Sequence, residues 1–384
     1  MTDFFRIDDL LAPEEREVRD TVRRFVDETI APRAGKLWER GEFPAEWPRR
    51  FGEMGLLGAN LPEEYGGAGV SNVAYGLIMQ ELEAGDSGVR SFASVQGALV
   101  MYPIYRFGSE EQRRYWLPRL ARGEAVGCFG LTETTAGSDP AAMQTRARRQ
   151  DGGWVLSGTK MWITNGTLAD VAVIWAKDDD GEIRGFLVET SAPGFSAAAI
   201  KDKASMRLSD TAQLFLDGVR VGDEALLPGA RGLRAPLECL TQARYGIAWG
   251  AVGAARACYE EALQYALGRE SFGRPIAARQ IIQERLADML TELTKAQLVA
   301  YRLGRLKDEG QLHYTQVSMA KRNNVRQALQ IARQARTILG AYGITLGHQA
   351  IRHAANLETV DTYEGTYDIH TLILGREITG WSAL

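Results

Sequence analysis

The carboxylate of Glu364 stands in the run Thr-Tyr-Glu-Gly-Thr-Tyr-Asp at residues 362–368. Gly365 and Thr366 read as a chain break followed by a helix N-cap, with Asp368 in the first turn, where the helix dipole favours negative charge. Glu364 is therefore predicted just outside a helix, next to Tyr363. Against an apolar pocket such a carboxyl would be desolvated, with a raised pKa, and could act as a general base. The same residues also suit a solvated capping carboxylate, and this segment alone leaves both readings open.

Two further runs could hold a planar or phosphorylated group. Residues 128–139, CFGLTETTAGSD, begin as a strand and open into a loop dense in hydroxyls and flexible backbone: Thr132, Thr134, Thr135, Gly137, Ser138 and Asp139. Such a loop can present N–H and O–H donors to an acceptor-rich ring or a pyrophosphate; a polar β-turn is the competing reading. In KMWITNG, residues 160–166, strand alternation would put Trp162 and Thr164 on one side. That pair could stack on and hydrogen-bond to a flavin, or the indole could pack in a β-core.

Other chemistries find little support. The four histidines, His313, His348, His353 and His370, form no H-E-x-x-H pair, and each reads as a surface or satisfied helix residue. No Gly-x-Ser-x-Gly elbow occurs. Cys128, Cys239 and Cys258 are odd in number and far apart, which disfavours a disulfide framework or a zinc cluster and fits a reducing compartment. No metal site is expected. The glycines of LPEEYGGAGVS, residues 61–71, match neither G-x-G-x-x-G nor a P-loop and read as a plain loop.

The elements that must position these residues change character twice. From Pro13 to Arg122 the pattern is helical, with Val18, Val22, Phe25 and Ile30 mostly at helical spacing and Pro32 near the expected stop. Between Ala125 and Val221 short runs rich in Val, Ile, Trp and Thr alternate with turns, which predicts a compact β-sandwich or barrel. After Gly232 long helices take over; Ile282, Leu286, Met289 and Leu293 share one face, and the uncharged stretch between Arg244 and Arg256 predicts a helix buried all round. The expected class is mostly α with a central β-domain, divided as 1–122, 123–231 and 232–384.

With 384 residues, 45% hydrophobic and 24% charged, the chain is long enough for several packed layers. Its 45 Lys+Arg against 49 Asp+Glu give a net charge of −4, which supplies no field for nucleic acid. The N-terminus MTDFFRIDDLLAPEE turns acidic at once, and the charge-free run between Arg90 and Arg106 is shorter than a membrane span needs. A cytoplasmic protein without a membrane anchor is expected.

Taken together in order, CFGLTETTAGSD, KMWITN, RESFGRPIAARQIIQ (269–283) and the YEGT loop resemble the acyl-CoA dehydrogenase family over nearly the whole chain. The resemblance implies an N-terminal helical domain, a central β-domain and a C-terminal four-helix bundle, in a homotetramer that passes electrons to an electron-transfer flavoprotein. It implies FAD held by Phe129, Gly130, Leu131, Thr132, Ser138, Trp162, Ile163 and Thr164, with Thr366, Tyr367 and Asp368 after the base. Arg269, Gln280 and the stretch Thr337, Ile338, Leu339, Gly340 and Ala341 are implied to reach a neighbouring subunit's FAD. Ala341 stands where the family usually has Gly.

The runs 85–105, 242–250, 286–294, 322–336 and 363–376 make the glutaryl-CoA-oxidising branch the most similar one. That implies Glu364 as the base, and Arg90 and Ser91 as binders of a distal carboxylate, with Glu83 and Tyr363 around it. It also implies Arg244, Tyr245 and Gly246 beside the CoA chain, and Ser138 and Gly365 in contact with substrate. The implied reaction is oxidation of glutaryl-CoA with decarboxylation to crotonyl-CoA, as in lysine and tryptophan catabolism. Without the resemblance, Arg90 reads as a charge on a helix surface. Tyr367 stands where glutaryl relatives usually carry His. The alternatives are a dehydrogenase of another short-chain acyl-CoA, a non-decarboxylating glutaryl-CoA dehydrogenase, a flavin oxidase using oxygen directly, and a non-catalytic acyl-CoA-binding relative.

Overall fold

The computed structural model describes residues 3–383. Seven helices come first: α1 (Pro13–Phe25), α2 (Ala31–Arg40), α3 (Trp47–Glu53), α4 (Asn72–Gly85), α5 (Ser87–Ser94), α6 (Tyr102–Phe107) and α7 (Glu110–Ala121). Pro32 does not stop the helical path as its position suggested. A π-helical turn, Val26–Ile30, precedes it, in which the Ala31 N–H reaches back to Val26 O. The wider turn carries the chain past a residue that has no N–H to give. The same device, Val95–Met101, precedes Pro103.

The β region is one hydrogen-bonded sheet, ordered β6-β7-β3-β2-β4-β5-β8, with β1 beside β4. Its strands are β1 (Gly127–Gly130), β2 (Arg146–Gln150), β3 (Gly153–Thr164), β4 (Val171–Lys177), β5 (Ile183–Glu189), β6 (Phe195–Ala199), β7 (Thr211–Gly222) and β8 (Leu226–Arg231). β2 meets β4 at one pair, Arg146 with Lys177, so the sheet folds there into two leaves. Leu156, Leu214, Leu216 and Val219 of one leaf pack against Ala172, Ile174 and Phe186 of the other. Alternate residues of β4, namely Val171, Val173 and Trp175, join the helical core instead. A strand buried on both faces explains its unbroken apolar run. The sheet is sandwich-like, and its ends at β6 and β8 stay open.

Three long helices and two shorter ones follow: α8 (Arg234–Gly268), α9 (Gln280–Asp308), α10 (Tyr314–Ile338), α11 (Ala350–Thr362) and α12 (Tyr367–Thr379). A small hairpin of β9 (Glu270–Ser271) and β10 (Arg274–Pro275) interrupts the helical run between α8 and α9. Every residue of α8 from Ala243 to Tyr259 is buried. It lies directly on α4: a Cβ at Gly253 would stand 1.8 Å from Gln80 O, and one at Gly250 2.0 Å from Glu83 Oε2. N-terminal and C-terminal helices therefore share one hydrophobic core. No helix among the described residues is long and apolar enough to cross a membrane.

Candidate active site

The chain leaves α11 at Thr362 and turns sharply before α12. Glu364 has φ 52° and Gly365 φ 92°, both in the left-handed region. Thr366 then caps α12, accepting from Ile369 N at 3.1 Å. For Glu364 that backbone is unfavourable by roughly 1–2 kcal/mol and needs support from its surroundings. The support is visible. Lys321 of α10 donates through Nζ to Tyr363 O and to Gly365 O, each at 2.5 Å, and Arg244 of α8 donates through Nε to Glu364 O at 2.6 Å. Three successive carbonyls are thus held by two cations.

The Glu364 side chain has one oxygen, Oε2, sealed from solvent without a hydrogen-bond partner. Burial pushes its pKa above the ordinary carboxylate range, while Arg90, Lys321 and Arg244 pull against that shift. Burial pulls the Lys321 ammonium down to about 7, with Glu364 opposing. His370 of α12 lies behind the turn; a Cβ at Gly365 would stand 2.9 Å from its Nε2. Burial first, then Lys321 and Arg244, lower its pKa to about 2, so the imidazole is neutral.

Glu364 opens on a cavity of about 1570 Å³ bounded by all three parts of the chain. The walls bring together Ser91, Phe129, Leu131, Thr132, Ser138, Trp162, Ile163, Thr164, Arg244, Tyr363, Gly365 and Thr366. Such a volume exceeds the roughly 300–1,000 Å³ of a site for one drug-sized ligand and has room for a dinucleotide and a thioester side by side. Trp162 does not follow strand alternation. A register shift between Lys160 and Ile163 interrupts the β3–β7 pairing, Trp162 takes φ 63°, and the residue is 58% exposed. The core-packing reading of this indole is therefore wrong; Ile163 fills the core instead, at 3% exposure. An uncovered aromatic face beside the hydroxyls of Thr132, Ser138 and Thr164 fits an isoalloxazine ring system.

Other predicted residues lie elsewhere. Gly130 is packed inside the sheet, where a Cβ would meet Ile174 Cδ1 at 2.6 Å. Successive helix residues point about 100° apart, so Tyr245 and Gly246 turn from Arg244 toward α4: the Tyr245 hydroxyl donates to Asn72 O at 2.6 Å, and a Gly246 Cβ would lie 3.3 Å from Met79 Cγ. Tyr367 and Asp368 begin α12 outside the cavity wall; Arg322 donates to the Tyr367 hydroxyl at 2.6 Å, and the Arg322 and Arg326 guanidinium groups each lie 4.2 Å from its ring. Arg269, Gln280, Thr337, Gly340 and Ala341 are exposed away from the cavity, whereas Ile338 and Leu339 are buried in the helical core.

Arg90 is not a surface charge. It is fully buried, because α5 is enclosed by its neighbours and every residue from Ser87 to Ser94 is buried. Its Nε donates to Glu83 Oε2 at 2.6 Å, and its Nη2 donates to the Tyr363 hydroxyl. Burial works against the charge, yet Glu83 and Tyr363 together raise the pKa above its usual value. Nη1 and Glu83 Oε1 are left buried and unpartnered. Ser91 and Tyr363 stand between this pair and the cavity, since both line it.

Several site residues carry no legible signal in the sequence. Asp86 caps α5 through Gly88 N at 2.7 Å and binds Arg352 at 2.5 Å and Asn356 at 3.0 Å, tying the helix of Arg90 to the helix that leads into Glu364. Lys160 donates to Leu131 O at 3.1 Å and Glu133 Oε1 at 2.8 Å, which anchors the Thr132 loop from beneath. Lys321 and Gly250 are equally silent. Two of the histidines, His353 and His370, are fully buried rather than on the surface.

Comparison with known proteins agrees with this arrangement. The N-terminal, middle and C-terminal domains of acyl-CoA dehydrogenase match residues 12–124, 128–219 and 230–379. A glutaryl-CoA dehydrogenase from Mycobacterium smegmatis, crystallised with FADH2, is 53% identical with a TM-score of 0.98, covering 100% of this chain and 99% of that one. Another structure of glutaryl-CoA dehydrogenase from the same organism is 57% identical, again at TM-score 0.98, covering 100% and 98%. The mitochondrial short-chain specific acyl-CoA dehydrogenase of Bos taurus is 36% identical over 369 residues, 94% of this chain and 89% of that protein. In sequence, three-domain fold and activity, the chain belongs to the acyl-CoA dehydrogenase family.

Proposed function

We propose that the protein oxidises glutaryl-CoA and releases crotonyl-CoA and carbon dioxide. The observation that carries the substrate choice is Arg90, a buried guanidinium with Nη1 unpartnered, which donates to the hydroxyl of Tyr363, the residue before the base. A distal carboxylate inside an apolar site would cost several kcal/mol unpaired, and a guanidinium fork offsets that cost. The two solved structures at 53% and 57% identity support the same reading.

FAD is the cofactor, and when bound it supplies the acceptor for the hydride that leaves the substrate β-carbon. Thr132, Ser138, Trp162 and Thr164 would hold it. Glu364 takes the α-proton. In a trans peptide the C=O and N–H point opposite ways, so drawing Tyr363 O to Lys321 turns the Glu364 N–H away from that lysine. That N–H is then available to the thioester oxygen as negative charge develops there. Oxidation yields a glutaconyl thioester whose carboxylate is γ to the carbonyl. Its C–C bond breaks, carbon dioxide leaves, and the conjugate acid of Glu364 returns the proton to the dienolate. The raised pKa of Glu364 suits both roles.

The reading extends to the remaining assignments. The three domains are 1–122, 123–231 and 232–384; the enzyme is a cytoplasmic homotetramer; and electrons pass to an electron-transfer flavoprotein. Arg269, Gln280 and the main chain of Thr337 to Ala341 serve a neighbouring subunit's FAD. Replacing Glu364 by Gln tests the base: the flavin-loaded variant is expected to bind acyl-CoA and lose turnover by several powers of ten, and retained turnover overturns the assignment. A second reading, a monocarboxylic short-chain substrate, draws on the pairing of Arg90 with Glu83 and on the 36% identity to short-chain enzymes. Faster turnover of butyryl-CoA than of glutaryl-CoA would favour it.

A further inference from the structure

Lys321 is a buried cation whose contacts bracket one residue. Its Nζ reaches the carbonyls on either side of Glu364, and no carboxylate lies within hydrogen-bonding distance of it among the described contacts. The lysine is 1% exposed and stands on α10, which lends the cavity wall its first residue, Tyr314, but not Lys321. A hydrophobic residue would fill such a position at far smaller desolvation cost, so a charge retained there calls for a role. We propose that Lys321 is the positioning residue of the catalytic base: it holds the Glu364 turn in its left-handed form and, as the ammonium, keeps the Glu364 carboxylate ionised. The proposal rests on Glu364 being the base.

The surroundings decide the sign. Facing the pair are Arg90 from α5, Arg244 from α8, Asp361 and Tyr363 around the end of α11, and His370 from α12. Glu83 and Tyr75 of α4 stand behind Arg90, and Arg326 of α10 is bound to Asp361 at 3.2 Å. His370 is neutral and adds no charge. Arg90 is the strongest cation pulling against the burial of Glu364, but it is paired with Glu83; Lys321 and Arg244 also pull on Glu364 and have no carboxylate hydrogen-bonded to them among the described contacts. Removing one opposite charge near a buried carboxylate raises its pKa by about 1–3 units. The mutual dependence also runs the other way, because Glu364 is the main group favouring the charged form of Lys321.

The test uses flavin-loaded Lys321→Met and Lys321→Gln enzymes. In both, the acid limb of kcat/KM, which reports ionisation of the base, is expected to move up by at least about 1 pH unit. Gln keeps N–H donors for the carbonyls, so it should recover rate over Met without moving the limb back. An unmoved limb in both variants overturns the proposal, since lost packing alone lowers the rate at every pH. Should either variant fail to load flavin, Glu364→Gln enzyme labelled with 15N-lysine asks the same question. There the Lys321 Nζ should titrate at least about 1 unit lower than in the unaltered enzyme, and an unchanged titration overturns the coupling. Turnover in Glu364→Gln would instead overturn the base assignment, so the two failures are distinguishable.

Discussion

Replacing Arg90 by Gln tests how the site chooses its acyl group. Of the five N–H donors of a guanidinium, Nε is spent on Glu83 and one Nη2 hydrogen on Tyr363, while both Nη1 hydrogens are unspent. Two charge-assisted hydrogen bonds to a substrate carboxylate contribute about 1.5–3 kcal/mol each. Their loss is about 3–6 kcal/mol, or two to four powers of ten in kcat/KM. The substitution also strands Glu83 as an uncompensated buried anion, which destabilises the fold by about 3–5 kcal/mol. The assay must therefore cancel stability: kcat/KM is measured for glutaryl-CoA and butyryl-CoA with the same enzyme preparation. Butyryl-CoA lacks the carboxylate and should lose little, so the ratio of the two should fall at least a hundredfold. Equal losses on both substrates, or a ratio changed less than about tenfold, refute the reasoning.

Three other perturbations follow from the packing. Gly250→Ala drives a Cβ to 2.0 Å from Glu83 Oε2 and 3.2 Å from Arg90 Nε, so the pair must move; a stability loss of about 1–3 kcal/mol should accompany a lower glutaryl-over-butyryl ratio, read by denaturant titration and kinetics. Lys160→Met leaves Glu133 buried without its cation and frees the loop above it; it should cost about 3–5 kcal/mol and release flavin on gel filtration, where the unaltered enzyme retains it. Burial lowers the pKa of His353 to about 3 and of His370 to about 2, from the ordinary histidine value of 6.5. Below pH 6.5 the unfolded chain binds protons that the folded chain refuses, so their stabilising contribution is full above that pH and declines as pH falls. The slope should be about 1.4 kcal/mol per pH unit for each histidine between roughly pH 6 and 4, and His353→Asn should flatten it in urea titrations.

What the sequence revealed was local chemistry. The Thr366 cap, the carboxylate one turn before α12 and the apolar girdle of α8 all follow from patterns within a few residues. The burial of Arg90 does not, because it depends on α4, α8 and α11 closing over α5, and nothing in Ser-Gly-Val-Arg-Ser distinguishes a buried arginine from a solvated one. Lys321 lies far upstream of the carbonyls it holds, and a lone lysine in a polar-rich helix gives no hint of them. Strand β6 was invisible because four of its five residues are exposed, and β2 because it reads Arg-Ala-Arg-Arg-Gln. The bulge at Trp162 defeated the alternation rule at the one place where the indole had to leave the core. Such departures from local rules collect at the cavity: of the non-glycine residues with positive φ, Trp162, Met206 and Glu364 line it.

The central claim is that this cavity removes two hydrogens from glutaryl-CoA and then its carboxylate, with Glu364 handling both protons. Anaerobic addition of one equivalent of glutaryl-CoA to the flavin-loaded enzyme, followed by mass analysis of the acyl-CoA products, tests it directly. The account predicts bleaching of the flavin absorption and a product of crotonyl-CoA mass. An unbleached flavin, or accumulation of glutaconyl-CoA with its carboxylate intact, would contradict it.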